Sequence, residues 1–469
     1  MTLQIYNTLT RQKETFIPLH DQQVLMYVCG PNLYGPCHVG HAMSYLVFDV
    51  IRRYLEYLGY SVRHVQNFTD LEDRIIETAK AQGTFIENLA ELYIARFLTE
   101  LDGLNIKRAH EYPRATEVIP TMIDIIQGLI AKGHAYTVDG DVYFRVNSNS
   151  DYGKLSRRKL TEMEAGARIE IDERKEHPMD FALWKNTKPG EPNWKSPWGL
   201  GRPGWHIECS AMAIKFLGEQ IDIHGGGQDV LFPHHENEIA QTESYTGKAP
   251  FVKYWVHNGL LRPGEGQEKM TRHLANIVSL QDALKKYDPD AIRLFILSSH
   301  YRTPLVWQDD GIYSAERGLE RLREALNLAS ETKDARTLVG TNTLTEFAKQ
   351  TRELFIKAMD DDFNTPIAIS HLFDLAREIN HAKQKLHSAA VAPAQGVLKE
   401  LSNVLGLSLQ ERRHTESIET VSIIDLLVTV RNQLRAARQW ELADKIRNQL
   451  LDIGVLLEDS SEETKWRST

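Results

Sequence analysis

Between residues 24 and 65 the chain reads as strand, loop, helix and strand, and this order limits what the chain can fold into. Residues 24–28 are a short apolar run, residues 42–58 carry apolar side chains at helical spacing, and residues 61–65 are strand-like again. A strand, a helix and a second strand close together make two parallel strands with a crossover helix. The expected class is therefore α/β with a Rossmann-type parallel sheet. Ligands on such sheets bind beyond the carboxyl ends of the strands. Two loops should lie there. One is Cys29-Gly30-Pro31-Asn32-Leu33-Tyr34-Gly35-Pro36-Cys37-His38-Val39-Gly40-His41, and the other is Asn67-Phe68-Thr69-Asp70.

The first loop has the makings of a phosphate site. Backbone N–H groups at a helix N-terminus attract phosphate. His38 and His41 stand at the helix mouth with Gly40 between them, so their imidazoles could donate to a phosphoryl group as its charge shifts. No G-x-G-x-x-G run is present, which argues for nucleotide activation over a dehydrogenase fingerprint.

A chain of 469 residues exceeds one core and implies two to four domains. A net charge of −9 excludes a wholly basic nucleic-acid coat but not a local basic face. No apolar run approaches the roughly 20 residues that span a bilayer, so no membrane association is expected. The first residues lack the basic and apolar blocks of a signal peptide. Three cysteines, few and odd in number, fit a reducing cytoplasm better than a disulfide framework.

Residues 133–200 change character. A hairpin is expected at 135–144 around Asp139-Gly140. A charged stretch and a proline-punctuated segment follow, which suggests an insertion into the sheet. From about 315 onward helical stripes dominate: Leu319, Leu322 and Leu326; Leu372, Leu375 and Ile379; Ile424, Leu427, Val430 and Leu434. The tail from Gly454 to Arg467 reads as strand and turn.

Four residues could hold a metal. Cys29 ends the first strand, and Cys209 follows Arg202-Pro203-Gly204-Trp205-His206. His234 and Glu238 are four apart and so share one helix face. Two thiolates, an imidazole and a carboxylate suit a tetrahedral zinc ion. Buried structural cysteines beside a charged helix start account for the same residues, and Cys37 is a competing ligand. His235 should project about a quarter turn from His234, outside the ligand set or at the surface. His224-Gly225-Gly226-Gly227-Gln228-Asp229 follows an apolar strand. It could let a nucleoside lie against backbone with Asp229 accepting from ribose, or it could be a plain turn. Lys269 and Arg272, in Glu268-Lys269-Met270-Thr271-Arg272-His273, could clamp a triphosphate, or form a surface basic pair.

Taken together these segments resemble the class I aminoacyl-tRNA synthetases, in particular the bacterial cysteinyl-tRNA synthetases, almost end to end. His38-Val39-Gly40-His41 is similar to the first class I signature. The segments 202–209, 222–229 and 232–238 are similar to further family blocks. So are Met359-Asp360-Asp361-Asp362-Phe363-Asn364-Thr365-Pro366 and Leu457-Glu458-Asp459. The resemblance implies zinc, one per chain, on Cys29, Cys209, His234 and Glu238, where it binds the substrate thiolate and rejects serine. It implies ATP with Mg²⁺ held by His38, Gly40, His41, Gly226, Gly227, Asp229, Lys269 and Arg272. His38, His41, Lys269 and Arg272 would serve catalysis. Gly30, Thr69 and Trp205 would line the cysteine pocket. The implied partners are ATP, L-cysteine and tRNA(Cys), with a monomeric enzyme in the cytoplasm.

By the same resemblance the Rossmann catalytic domain occupies 1–119 and 201–245, interrupted by a connective insertion at 120–200. A stem-contact region with the lysine loop follows at 246–314, a helical bundle at 315–405, and a small α+β anticodon-binding domain at 406–469. In the tail, Arg435, Arg438, Arg447 and Trp466 offer cations and an aromatic ring to unpaired bases. The second class I signature departs from the family's Lys-Met-Ser-Lys-Ser, since Arg272 and His273 replace its last two residues. Arginine keeps the charge but grips phosphate bidentately. Two other functions fit the same motifs: a paralogue joining cysteine to a small amine, and a catalytically impaired tRNA-binding paralogue.

Overall fold

The computed structural model describes residues 2–160, 173–262, 278–327, 341–384, 388–410, 418–452, 454–459 and 464–468. Strand β1 (Gln23–Val28) is buried from Val24 to Val28. A strand apolar on both faces belongs in the middle of a parallel sheet, and β1 lies there. Helix α1 (Val39–Tyr57) follows it and leads to β2 (Ser61–Gln66), which pairs parallel with β1 from Gln23↔Ser61 to Val28↔Gln66. The chain returns much later, through α2 (Trp205–Leu217), β3 (Ile221–Gly227), α3 (Glu236–Thr246) and β4 (Val252–Asn258). The sheet order is β4-β3-β1-β2. Strand order therefore reverses between β1 and β3, and ligands of open α/β sheets bind at such a point.

Helix α1 begins at Val39, three residues ahead of the expected start, because the His38 side chain caps it. The helix lies close on β3. A Cβ on Gly225 would come within 2.0 Å of the Phe48 ring, so only glycine fits there.

Between β2 and α2 runs a five-stranded antiparallel sheet, in the order Ala135–Val138, Asp141–Phe144, Phe181–Asn186, Gly199–Pro203, Trp194–Ser196. Its hairpin turns at Asp139 (φ 52°) and Gly140 (φ 86°), the left-handed pair that an Asp-Gly turn supplies. Phe144, Leu183 and Trp184 share one core with Ile207, Cys209 and Trp255. The strand Gly199–Pro203 runs straight into α2, so this sheet fixes where Trp205 and Cys209 point.

Helices Asp309–Leu326, Thr341–Asp360, Thr365–Lys383 and Ser388–Val404 follow. Leu319 and Leu322 are buried, as are Leu372, Leu375 and Ile379. Arg293, in Pro289–Leu297, is fully buried. It donates to Asp49 of α1 at 2.6 Å and to the carbonyls of Leu104 at 2.8 Å and Leu405 at 2.9 Å, so three distant segments meet on one guanidinium.

The chain divides into two compact units, 1–409 and 410–469. In the second, helices Ile418–Ala436 and Trp440–Asp452 are followed by an antiparallel pair, Val455–Asp459 with Thr464–Ser468. Its core holds Ile424, Val428, Leu450, Val455 and Leu457. Val428, not the expected Val430, faces inward, so the stripe read from the sequence is turned by about half a helical turn at that position.

Candidate active site

A cavity of about 770 Å³ opens beyond the carboxyl ends of β1 and β3. Cys29 leaves β1, and its N–H donates to the Gly225 carbonyl at 3.1 Å. Gly30 then passes so close to the loop after β2 that a Cβ would sit 1.6 Å from the Asn67 carbonyl oxygen, so no other residue fits. The Asn67 side chain ties this corner. Its Oδ1 accepts from Gly30 N–H at 2.9 Å and its Nδ2 donates to Thr69 Oγ1 at 3.2 Å. Gly30, Thr69 and Trp205 thus line one wall of the cavity.

At the cavity floor Cys29, Cys209, His234 and Glu238 place one ligand atom each within 4.8 Å of one another. The Cys29 and Cys209 sulfurs are 3.9 Å apart, and Cys29 Sγ lies 3.9 Å from Glu238 Oε1. His234 Nε2 lies 3.0 Å from Glu238 Oε1. Bonds of 2.0–2.3 Å in a tetrahedron separate ligand atoms by about 3.3–3.8 Å, so this donor set fits a zinc-sized ion. The other His234 nitrogen is 2.9 Å from His206 Nδ1, and the Trp205 ring stacks on His234 with centroids 4.3 Å apart. Both contacts hold the imidazole in place, as an outer partner does for a ligating histidine.

The electrostatics of the cluster suit a cation. Burial would raise the Glu238 carboxyl, but His224 and His234 beside it hold it down at about 2. The Cys29 contact lowers the Cys209 thiol to about 6 against the effect of burial. Burial and the neighbouring Cys209 push Cys29 well up. Burial disfavours the imidazolium of His234, yet Glu238 and Cys209 raise it to about 10. Two thiols and a carboxylate crowd one dry spot, where a divalent cation relieves their repulsion.

His235 lies outside this donor group but beside it, and is not at the surface. The turn Leu231–His235 is kinked, with Phe232 in extended backbone (φ −136°, ψ 132°), while His235 is helical (φ −67°, ψ −32°) and fully buried. Its Nε2 is 3.3 Å from Cys29 Sγ, and its Nδ1 is 2.8 Å from His257 Nε2. With His224, Cys29 and Glu238 it forms a second donor group that overlaps the first. Only Phe232 leaves the helical region, so the offset of His235 from His234 holds, and the packing of β1 and β4 decides that this face is buried. Cys37, the competing ligand, belongs to neither group. It is packed in the core, where burial pushes its thiol up.

The opposite wall is the start of α1. His38 Nδ1 accepts from the N–H groups of Gly40 at 3.1 Å and His41 at 3.3 Å. A ring nitrogen that accepts carries no proton, so the His38 proton sits on Nε2. His41 Nδ1 accepts from His38 N–H at 3.5 Å, and the two rings stack 3.7 Å apart. Gly40, Gly226, Gly227 and Asp229 line the same cavity. Lys269 and Arg272 lie outside the described residues.

The other side-chain positions expected from sequence therefore meet around one cavity, with Glu238 buried beneath its floor. Sequence reasoning missed His224 and His257 of the floor and the wall segment Asn258, Gly259, Leu260 and Leu261. His224 stood in a run already singled out, at the end of an apolar strand. Nothing local marks residues 257–261, which reach the cavity only because β4 pairs with β3.

Comparison with known proteins agrees with this geometry. The family model described as "tRNA synthetases class I (C) catalytic domain" matches residues 15–317, and the "DALR domain" model matches 354–410. A cysteine–tRNA ligase of Dehalococcoides mccartyi is 53% identical over 465 residues, covering 99% of both chains. One of Desulforamulus reducens is 46% identical over 487 residues, again covering 99% of both. Among solved structures, Mycobacterium tuberculosis methionyl-tRNA synthetase in complex with methionyl-adenylate shares the fold, with a TM-score of 0.58 at 16% identity over 87% of this chain and 94% of that one. The alternatives of a small-amine ligase and an impaired paralogue find no support among these relatives. A switch-point cavity with a capped histidine pair, and full-length similarity on both sides of the inserted sheet, place the chain in the cysteine–tRNA ligase family of class I aminoacyl-tRNA synthetases.

Proposed function

We infer that this protein activates L-cysteine with ATP and transfers it to the 3′ end of tRNA(Cys). The observation that carries the reading is the four-donor group at the floor of the cavity, facing a helix mouth with two histidines across it. Zinc at that group would bind the substrate thiolate, which serine cannot offer at neutral pH. Gly30, Thr69 and Trp205 would then orient the amino acid. Its carboxylate oxygen attacks the α-phosphorus of ATP, the α–β bridging bond breaks, and pyrophosphate leaves with cysteinyl adenylate remaining. Little covalent chemistry falls to the protein, whose part is positioning and neutralising charge. His38 and His41 would donate from Nε2–H to the phosphates while the α1 N-terminus adds its partial positive charge. Gly226, Gly227 and Asp229 would hold the nucleoside. Lys269 and Arg272 would clamp the departing pyrophosphate, and Mg²⁺ would accompany ATP. A terminal ribose hydroxyl of tRNA then attacks the adenylate carbonyl and AMP leaves. We place this enzyme in the cytoplasm as a monomer; among the described residues no helix is long and apolar enough to cross a membrane.

ATP–pyrophosphate exchange on zinc-loaded protein, with serine as control, tests the first step, and charging of tRNA(Cys) tests the second. Exchange with cysteine alone supports the reading, and equal exchange with serine overturns the role given to the metal. His38→Ala should lower the exchange rate about 100-fold, the usual cost of one preorganised donor, with metal content unchanged. A rate within twofold of the parent would remove His38 from catalysis.

A further inference from the structure

The segment Met359–Pro366 holds no residue of the cavity, yet two of its three aspartates, Asp360 and Asp362, reach elements that build the ATP side. Asp360 ends the helix Thr341–Asp360 and accepts from the hydroxyl of Tyr54, in α1, at 2.7 Å. Asp362 is fully buried in the left-handed backbone region, at φ 61°. Its carboxylate accepts from Tyr6 N–H at 2.9 Å, from the Tyr301 hydroxyl at 2.8 Å and from Arg302 Nε at 2.8 Å. Its own N–H donates to the Gln4 carbonyl at 3.0 Å. Arg302 is held further by the Tyr6 ring, 4.3 Å below its guanidinium.

The grip on residues 301–302 leads to the cavity. The Tyr301 carbonyl accepts from Gly259 N–H at 2.8 Å, and Leu305 N–H donates to the Leu260 carbonyl at 3.1 Å. Leu261 and Arg262 pair in parallel with Leu305 and Val306. Gly259, Leu260 and Leu261 line the cavity, and a Cβ on Gly40, between the two histidines, would come within 3.8 Å of Leu261. One corner of the helical bundle therefore holds both α1 and the strand facing its N-terminus.

We propose that Asp362 is a positioning residue for the ATP side of the active site, acting through Tyr301 and Arg302 on the wall at residues 259–261. A buried carboxylate with three donors from two separate elements fixes their spacing, because each lost bond leaves a buried partner unsatisfied. A shift of the wall by a fraction of an ångström changes the shape of the cavity beside Gly40, where the nucleotide is proposed to bind. The cysteine wall is built on Gly30, Thr69 and Trp205 and does not pass through this corner. The effect should therefore be confined to ATP. The inference rests on the cysteine-activating function proposed above.

The test is steady-state pyrophosphate exchange on full-length, zinc-loaded Asp362→Asn and Tyr301→Phe, with Asp361→Ala as control. Asp361 pairs with Lys13 at a solvent-exposed site. Couplings through such networks correspond to roughly two- to thirtyfold. The KM for ATP should rise within that range in Asp362→Asn and by a smaller factor in Tyr301→Phe, with the KM for cysteine and the metal content unchanged. Asp361→Ala should match the parent. An ATP KM unchanged in both variants overturns the proposal, as does an equal rise in both KM values. If Asp362→Asn does not fold, Tyr301→Phe alone decides. Failure of the parent to exchange with cysteine would instead overturn the functional reading.

Discussion

Cys209→Ser is expected to abolish cysteine-dependent pyrophosphate exchange while ATP binding persists. Cys209 supplies one of the two sulfur donors in the floor group, and its thiol is the one lowered to about 6. A serine hydroxyl there keeps its proton at neutral pH and is a poor ligand for a borderline-soft ion. Loss of outer partners alone typically costs 10- to 100-fold in metal affinity, and loss of a direct ligand should exceed that. Metal content measured after dialysis, beside calorimetric ATP binding, separates the two sides of the cavity. A variant that keeps one tightly bound metal and normal exchange would mean that Cys209 is only a packed core cysteine. In that case the overlapping group of Cys29, His224, His235 and Glu238 would be the one to examine.

Asp49→Leu should cost about 3–5 kcal/mol of stability, the range for removing one partner of a buried ion pair. Arg293 and Asp49 are both fully buried, and the Asp49 carboxylate also accepts from Arg53 Nε at 2.9 Å and Lys107 N–H at 2.9 Å. The leucine would leave the guanidinium charged and facing only carbonyls. Removing both charges should hurt less than removing one, so Asp49→Leu combined with Arg293→Met should unfold at a higher denaturant concentration than Asp49→Leu alone. If the double variant is the weaker one, the guanidinium contributes chiefly through its bonds to Leu104 and Leu405. The ion pair would then be secondary.

The two predictions differ in how far the sequence reaches them. The parallel β1–α1–β2 unit and the Asp-Gly hairpin follow from local chemistry, because side-chain period and turn residues act over a few positions. The pairing of His234 with Glu238 is also local: four residues make one helical turn, and the two meet at 3.0 Å. The residue types of the floor were equally visible, and resemblance to a family could group them. Their meeting within 4.8 Å was not visible, since Cys29 and Cys209 are brought together by sheet order, which no local period encodes.

Burial and capping are where sequence reading falls short. His235 sits on a helical backbone, and only the packing of β1 and β4 against it decides that its face is buried. His38 moves the start of α1 forward by capping it, a role that apolar periodicity does not signal. Nothing in the sequence around Arg293 or Asp362 signals that each is buried among carbonyls and hydroxyls. The parallel unit, the local motifs and the kinds of ligand available follow from the residues in order. Which residues share the cavity floor, and which buried charges hold its walls, follows from the closed fold, because burial and long-range pairing exist only once distant segments meet.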